Sequence, residues 1–347
     1  METVWFCAIS FMVIMYVILD GFDLGAGAIF LTSAKTELER RLILNAIGPV
    51  WDGNEVWLVA LGGTLFFAFP RVYASSFSGF YLPLMIVLWL LMLRGLGIEF
   101  RHRIANPLWK SFWDVVFWLG SLLLTFFFGA ALGNVVRGVP LDSSGDFFEP
   151  LWTSFTVQPE AGILDWFTVM LGLVSVFTLV AHGANYIAMK TEGDLHDRSR
   201  STATRATWGS LIMSAATVIG VSIVRPAVWQ NYTLMPWGYI FPMAGAFGLA
   251  GMIYANVTRK DGLAFASSTT FIGGMLASTA FGLYPDLLPS ITDPHLSLTA
   301  YNACADSYGL TVGVAWWRPA IVLALVYLVY ILLSLRGKIK TLSDEGY

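Results

Sequence analysis

The stretch Asp20-Gly21-Phe22-Asp23 lies inside an apolar run from Thr3 to Leu31, and Trp51-Asp52-Gly53-Asn54-Glu55 heads a second run ending near Pro70. A helix needs about 20 apolar residues to cross a membrane, and both runs are long enough. A carboxylate at the centre of such a helix costs roughly 2.5–3.5 kcal/mol on insertion scales. A chain that keeps four acids in two adjacent spans is therefore expected to use them, most simply to move protons or bind an ion. Within each pair the acids are three residues apart and share one helix face. Gly21, Gly25 and Gly27 offer small residues for close helix contact around the first pair, and Gly53, Gly62 and Gly63 are expected to do the same around the second.

The whole sequence has this character. Of its 347 residues, 56% are hydrophobic and only 12% charged, against about 25% charged in soluble domains. Nine stretches qualify as spans: Val4–Leu31, Gly48–Phe69, Gly79–Ile98, Phe112–Val136, Gly162–Met189, Ala206–Val224, Trp237–Val257, Leu263–Leu283 and Val314–Leu335. The expectation is an all-α polytopic membrane protein with nine transmembrane helices in one integral membrane domain, residues 1–347. Helices one to four fall in about 4–136, five to eight in about 162–283, and the ninth in about 314–335.

Charge sets the orientation. Alternate connections hold all but four of the 20 Lys and Arg residues, Arg94 and Lys340 included; the exceptions are Arg71, Arg137, Arg225 and Arg318. The positive-inside rule puts the basic side in the cytoplasm, with the N-terminus outside and the C-terminus inside. All four acids then lie toward the cytoplasm. The longest outer connections are 137–161, acidic through Asp142, Asp146, Glu149 and Glu160, and 284–313, rich in Pro, Ser and Thr. The N-terminus lacks a basic n-region and a cleavage site, so the first run reads as a retained span.

Other chemistry is thin. There is no Gly-rich phosphate loop, no zinc spacing, and no basic-aromatic stripe for nucleic acid. Cys7 and Cys304 both fall on the outer side, where a disulfide or two free thiols are open to them. His182 is the one histidine in a span; it reads as a hydrogen-bonded histidine beside Gly183 and Asn185 rather than a haem ligand. Asp114 and Asp165 each open a span and read as N-terminal charges favoured by the helix dipole. Trp316, Trp317 and Arg318 read as an interfacial belt at the start of the last span. Taken alone, these residues leave three functional classes: a proton-conducting subunit of a larger complex, a stand-alone proton- or cation-coupled transporter, and a haem-binding electron carrier through His182.

The order of motifs narrows the choice. Asp20-Gly21-Phe22-Asp23-Leu24-Gly25-Ala26-Gly27 is followed by Arg40-Arg41 and Asn45. Gly48-Pro49-Val50-Trp51-Asp52-Gly53-Asn54-Glu55-Val56-Trp57-Leu58 comes next, then Phe67-Ala68-Phe69-Pro70-Arg71-Val72-Tyr73-Ala74. This series closely resembles subunit II of cytochrome bd-type quinol oxidases. The similarity runs on through Phe77-Ser78-Gly79-Phe80-Tyr81 and Arg94-Gly95, and returns at Gly183-Ala184-Asn185-Tyr186 and Ser297-Leu298-Thr299; from about Thr202 to Gly282 only hydropathy supports it.

The resemblance implies two four-helix bundles plus one peripheral helix, in a subunit without catalytic, cofactor-binding or metal-binding residues of its own. Its partner is a haem-bearing subunit I, which carries haem b and haem d and the quinol site. The complex oxidises quinol, reduces dioxygen to water with cytoplasmic protons, and builds a proton gradient without pumping. A bacterial cytoplasmic (inner) membrane is implied. A small single-span subunit is a further candidate partner, and some family members hold a structural quinone in this subunit. The resemblance places Asp52 on a proton pathway, with Trp51 and Asn54 in the same motif. Asp20 and Asp23 match the family's acidic motif, and their position suggests a role in that pathway. Some relatives carry Gln where this chain has Glu55, so Glu55 ranks below Asp52.

Overall fold

A computed structural model describes residues 1–158 and 162–339. Glu160 and Lys340, used above in reading the charge pattern, lie outside the described residues. The first half of the chain forms α1 (Glu2–Ala28), α2 (Phe30–Ser33), α3 (Glu37–Ile47), α4 (Trp51–Ala68), α5 (Pro70–Gly79), α6 (Tyr81–Phe100) and α7 (Pro107–Arg137). The second half forms α8 (Trp166–Lys190), α9 (Gly193–Val224), α10 (Val228–Leu234), α11 (Ile240–Thr258), α12 (Asp261–Leu283) and α13 (Ser307–Ser334). Two short antiparallel strands, β1 (Asp286–Leu288) and β2 (Leu298–Thr299), pair Asp286 with Thr299 and Leu288 with Leu298 in the last long connection.

Local signals set the helix ends. Thr36 and Glu39 form a capping box at α3, and Asn106 caps α7 with Pro107 at its first turn. Asp165 caps α8 by accepting from the amides of Phe167 and Thr168, as expected of an N-terminal acid, and Asp306 caps α13. Gly138, at φ 98°, lets the chain leave α7 in a conformation other residues rarely adopt.

Seven of the described helical segments are long and apolar enough to cross a membrane: Glu2–Ala28, Tyr81–Phe100, Pro107–Arg137, Trp166–Lys190, Gly193–Val224, Pro236–Thr258 and Ser307–Ser334. The chain is an all-helical integral membrane protein. The second and eighth expected spans are α4 and α12, of 18 and 23 residues, which are not among the seven. Their sequences explain why: α4 opens on Asp52, Asn54 and Glu55, and α12 carries Ser267, Ser268, Thr269 and Thr270. The short helices α3, α5 and α10 fall in connections for which the sequence suggested no element.

α1 is the hub. It packs against α4, α7, α8 and α12, while α8 with α9 and α11 with α12 form further pairs. The close approach of α1 to α8 depends on two glycines. A Cβ on Gly25 would collide with the Leu179 carbonyl, and one on Gly183 would collide with the backbone of Gly25 and Ala26. Phe22 stacks on Tyr186 beside this crossing, with ring centroids 4.2 Å apart. α13 buries only Leu310 and Val314.

Ion pairs tie the two ends of the bundle. At the basic end, Arg101 joins α6 to α3 and α7 through Glu37 at 2.7 Å and Asp114 at 2.5 Å, and Arg40 reaches Asp114 at 2.8 Å. Asp114 thus sits beyond the first turn of α7 and serves as a buried counter-ion, where the sequence suggested a helix-dipole charge. Burial works against Glu37 ionising, but hydrogen bonds from Arg101 and Lys110 outweigh it and hold Glu37 at about 2. At the other end, Arg137 bridges Glu149 at 2.6 Å and Asp165 at 2.5 Å, with all three side chains fully buried. Cys7 and Cys304 are free thiols. Trp316, Trp317 and Arg318 lie inside α13, which starts earlier than expected, at Ser307.

Candidate functional site

The apolar helices α1, α4 and α6 enclose one polar cluster. Asp20 of α1 is fully buried and accepts two hydrogen bonds from Arg94 of α6, Nη2 to Oδ1 at 2.5 Å and Nη1 to Oδ2 at 3.1 Å. Arg94 is itself fully buried. Asp23, one turn further along α1, is also fully buried; its Oδ2 accepts from Asn54 Nδ2 of α4 at 2.7 Å. The same amide donates to the Leu19 carbonyl at 3.2 Å, fixing α4 against α1. Glu55 stands at the edge of the cluster, its Oε2 3.8 Å from Arg94 Nη1 and its side chain 25% exposed.

The two acidic pairs therefore meet only in part. Asp20, Asp23, Asn54 and Glu55 converge. Asp52 does not join them: it is exposed on α4 and makes no ion pair or hydrogen bond among the described residues. Trp51 is half-buried, and its ring edge lies at ordinary packing distance from Gly95 of α6. The glycines of α4 also differ from expectation. A Cβ on Gly53, Gly62 or Gly63 would meet nothing within 4 Å, so these glycines make no close helix contact, whereas Gly25 and Gly27 do. Gly53 and Asn54 line a cavity of about 510 Å³ between α4 and α13, otherwise walled mainly by apolar side chains such as Trp57, Ile321 and Leu328.

Arg94 is the residue the sequence reading misplaced, by counting it among the loop cations. It lies within α6, and the span continues past it through Gly95, Leu96, Gly97 and Ile98. Its burial is possible because Asp20 supplies a paired anion with bidentate geometry; an unpaired guanidinium there would be prohibitive. A basic residue followed by four more apolar or small residues was the available signal.

His182 lies on the opposite side of α1. It is buried, with Nδ1 2.7 Å from Ser268 Oγ and Nε2 3.0 Å from the Ile18 carbonyl, and it stacks on Phe265 at 4.8 Å. Both ring nitrogens are engaged by protein groups. Among the described residues, no group of three or more His, Cys, Asp or Glu side chains is arranged to hold a metal ion.

The arrangement is suited to proton movement. A buried Asp20–Arg94 pair is neutral overall, whereas Asp23 has only the neutral Asn54 amide as its partner. An ionised Asp23 leaves one uncompensated negative charge in the seam; a bound proton removes it.

Comparison with known proteins finds relatives along nearly the whole chain. Residues 1–335 match the family described as cytochrome bd terminal oxidase subunit II. The chain is 32% identical to the probable cytochrome oxidase subunit 2 of Haemophilus influenzae, over 97% of this chain and 94% of that protein. It is 30% identical to the cytochrome bd-I ubiquinol oxidase subunit 2 of Escherichia coli K12, over 94% of this chain and 91% of that one. It is 32% identical to the cytochrome bd ubiquinol oxidase subunit 2 of Bacillus subtilis, over 90% and 89%. Its fold is similar to a chain in the structure of bd oxidase from Geobacillus thermodenitrificans, with a TM-score of 0.72 over 96% of this chain and 98% of that one, at 17% identity. The match along nearly its whole length shows that this chain belongs to the cytochrome bd terminal oxidase subunit II family.

Proposed function

We propose that this chain is the haem-free subunit II of a quinol:oxygen oxidoreductase in a bacterial inner membrane, and that it supplies part of the cytoplasmic proton path for reducing dioxygen to water. The reading extends to nine spans in a single membrane domain, residues 1–347, with α4 and α12 as the second and eighth. It takes the bundles as two sets of four helices with α13 at the periphery, the N-terminus outside and the C-terminus inside. The observation that carries it is the buried Asp20–Arg94 and Asp23–Asn54 cluster, reached from the surface past Glu55. In a chain whose relatives are named as bd oxidase subunits, a partly exposed acid leading to a buried aspartate is a route for protons.

The residues divide the work. Arg94 keeps Asp20 as a fixed counter-ion, and Asp23 carries the exchangeable proton. Glu55 links the cluster to Asp52, whose exposed carboxylate on an apolar helix needs a polar neighbour. A haem-bearing subunit I seated there provides one, and the proton enters the cluster from Asp52 through Glu55. Haem b, haem d and the quinol site belong to that partner. The complex then generates a proton gradient by drawing protons from one side, without pumping. A small single-span subunit and a structural quinone are compatible additions.

The test is purification of the chain from native membranes in mild detergent, followed by a reduced-minus-oxidised spectrum. Co-purification of a membrane partner with b- and d-type haem bands and quinol-dependent oxygen uptake supports the reading. A stable, colourless, solitary protein overturns it and favours a proton- or cation-coupled transporter built on the same acids.

A further inference from the structure

Tyr16 precedes Asp20 by one turn of α1 and shares its face. It is 4% exposed, and its ring meets Phe128 of α7 edge-on at 5.6 Å between centroids. Its hydroxyl makes no hydrogen bond to any described residue. The same is true of two other buried atoms in this cluster, Asp23 Oδ1 and Arg94 Nε. Proteins pair roughly nine in ten of their buried polar atoms, and an unpaired one costs about 1–3 kcal/mol. Phenylalanine would fill the place of Tyr16 against Phe128 with no such cost. Three such atoms gathered within a turn of one ion pair call for a small molecule that both donates and accepts. Water, which typically takes two to four polar partners in protein interiors, has that chemistry.

We propose that Tyr16, Asp20, Asp23 and Arg94 bind ordered water, and that the Tyr16 hydroxyl is the next proton-relay group beyond the two aspartates. This rests on the proton-path reading and extends the path along α1 toward mid-membrane. The transfer balances without a charged intermediate on the phenol. Protonated Asp23 gives its proton to the bridging water as that water passes one to a lone pair of the Tyr16 oxygen, and the hydroxyl's own proton moves to a second water on its far side. The hydroxyl then rotates back, so a phenol that titrates near 10 in water stays neutral throughout.

The experiment compares Tyr16→Phe with Asp23→Asn in the complete oxidase. Quinol-dependent oxygen uptake is expressed per assembled haem, in H2O and in D2O, so reduced assembly does not alter the reading. Tyr16→Phe is expected to lower the rate about three- to tenfold and to raise the solvent isotope effect, because it removes a proton carrier while keeping the ring against Phe128. A merely structural role would leave the isotope effect unchanged. If Asp23→Asn is slow while Tyr16→Phe keeps the wild-type rate and isotope effect, Tyr16 is off the path and the proposal fails, with the proton-path reading intact. If both variants run at the wild-type rate, both ideas fall.

Discussion

Arg94 grips Asp20 through two hydrogen bonds, 2.5 and 3.1 Å long, with both side chains fully buried and 74 residues apart in sequence. This pair allows a charged seam to exist between apolar helices, because each ion satisfies the other where water does not reach.

Breaking that pair from one side should be costly. Arg94→Leu leaves Asp20 buried without its cation, for which losses of about 3–5 kcal/mol are typical. The expected outcome is a sharp fall in assembled oxidase, read as haem per unit of membrane protein. Adding Asp20→Leu to Arg94→Leu should restore much of the assembly, since replacing both ions by apolar groups is often neutral. Equal failure of the single and double variants would show that the pair is not what holds α6 to α1.

The helix crossing makes a separate prediction. Gly183→Ala places a Cβ against the backbone of Gly25 and Ala26, which cannot yield as a flexible side chain can. Overpacking of this kind costs about 1–3 kcal/mol or more. Gly62→Ala and Gly63→Ala meet open space and should leave thermal stability within about 0.5 kcal/mol of the parent. A melt in which all three variants behave alike would contradict the packing described for α1 and α8.

Glu149 predicts a pH dependence at the acidic end. Burial raises its carboxyl, the Arg137 guanidinium opposes this, and nearby Asp165 adds to the rise, leaving Glu149 at about 7. Its reference value of 4.5 describes the unfolded chain, so the folded state holds its proton more tightly. The resulting stabilisation is fully present below about pH 4.5 and is lost as pH rises through about 7. The difference is on the order of 3 kcal/mol across that window. Amide protection in residues 139–149, meaning exchange relative to the intrinsic rate at each pH, should be higher at pH 5.5 than at pH 8, and Glu149→Gln should remove much of the difference. Lower protection at pH 5.5 would reverse the assigned sign.

The acids of this site were legible in the sequence because carboxylates are conspicuous in apolar runs. Their spacing also showed which of them share a face. Their partners were not legible. Whether Asp20 meets Arg94 or Arg40 depends on how α6 lies against α1, and local periodicity carries no information about that. The same holds for Asp114, which looked like a helix-terminal charge until α3 and α6 brought Arg40 and Arg101 to it. Glycine spacing was equally ambiguous: Gly25 sits in a crossing and Gly63 makes no close helix contact, although both belong to similar small-residue patterns. Tyr16 was overlooked because one hydroxyl in an apolar run is unremarkable until its lack of a protein partner is seen.

The central claim is that Asp23, held by Asn54 and backed by the Asp20–Arg94 pair, carries protons for oxygen reduction. The most direct measurement is quinol-dependent oxygen uptake per haem in the complete oxidase carrying Asp23→Asn. The account predicts a fall of at least about tenfold, with the b- and d-type haem bands unchanged. Wild-type uptake from that variant would contradict it.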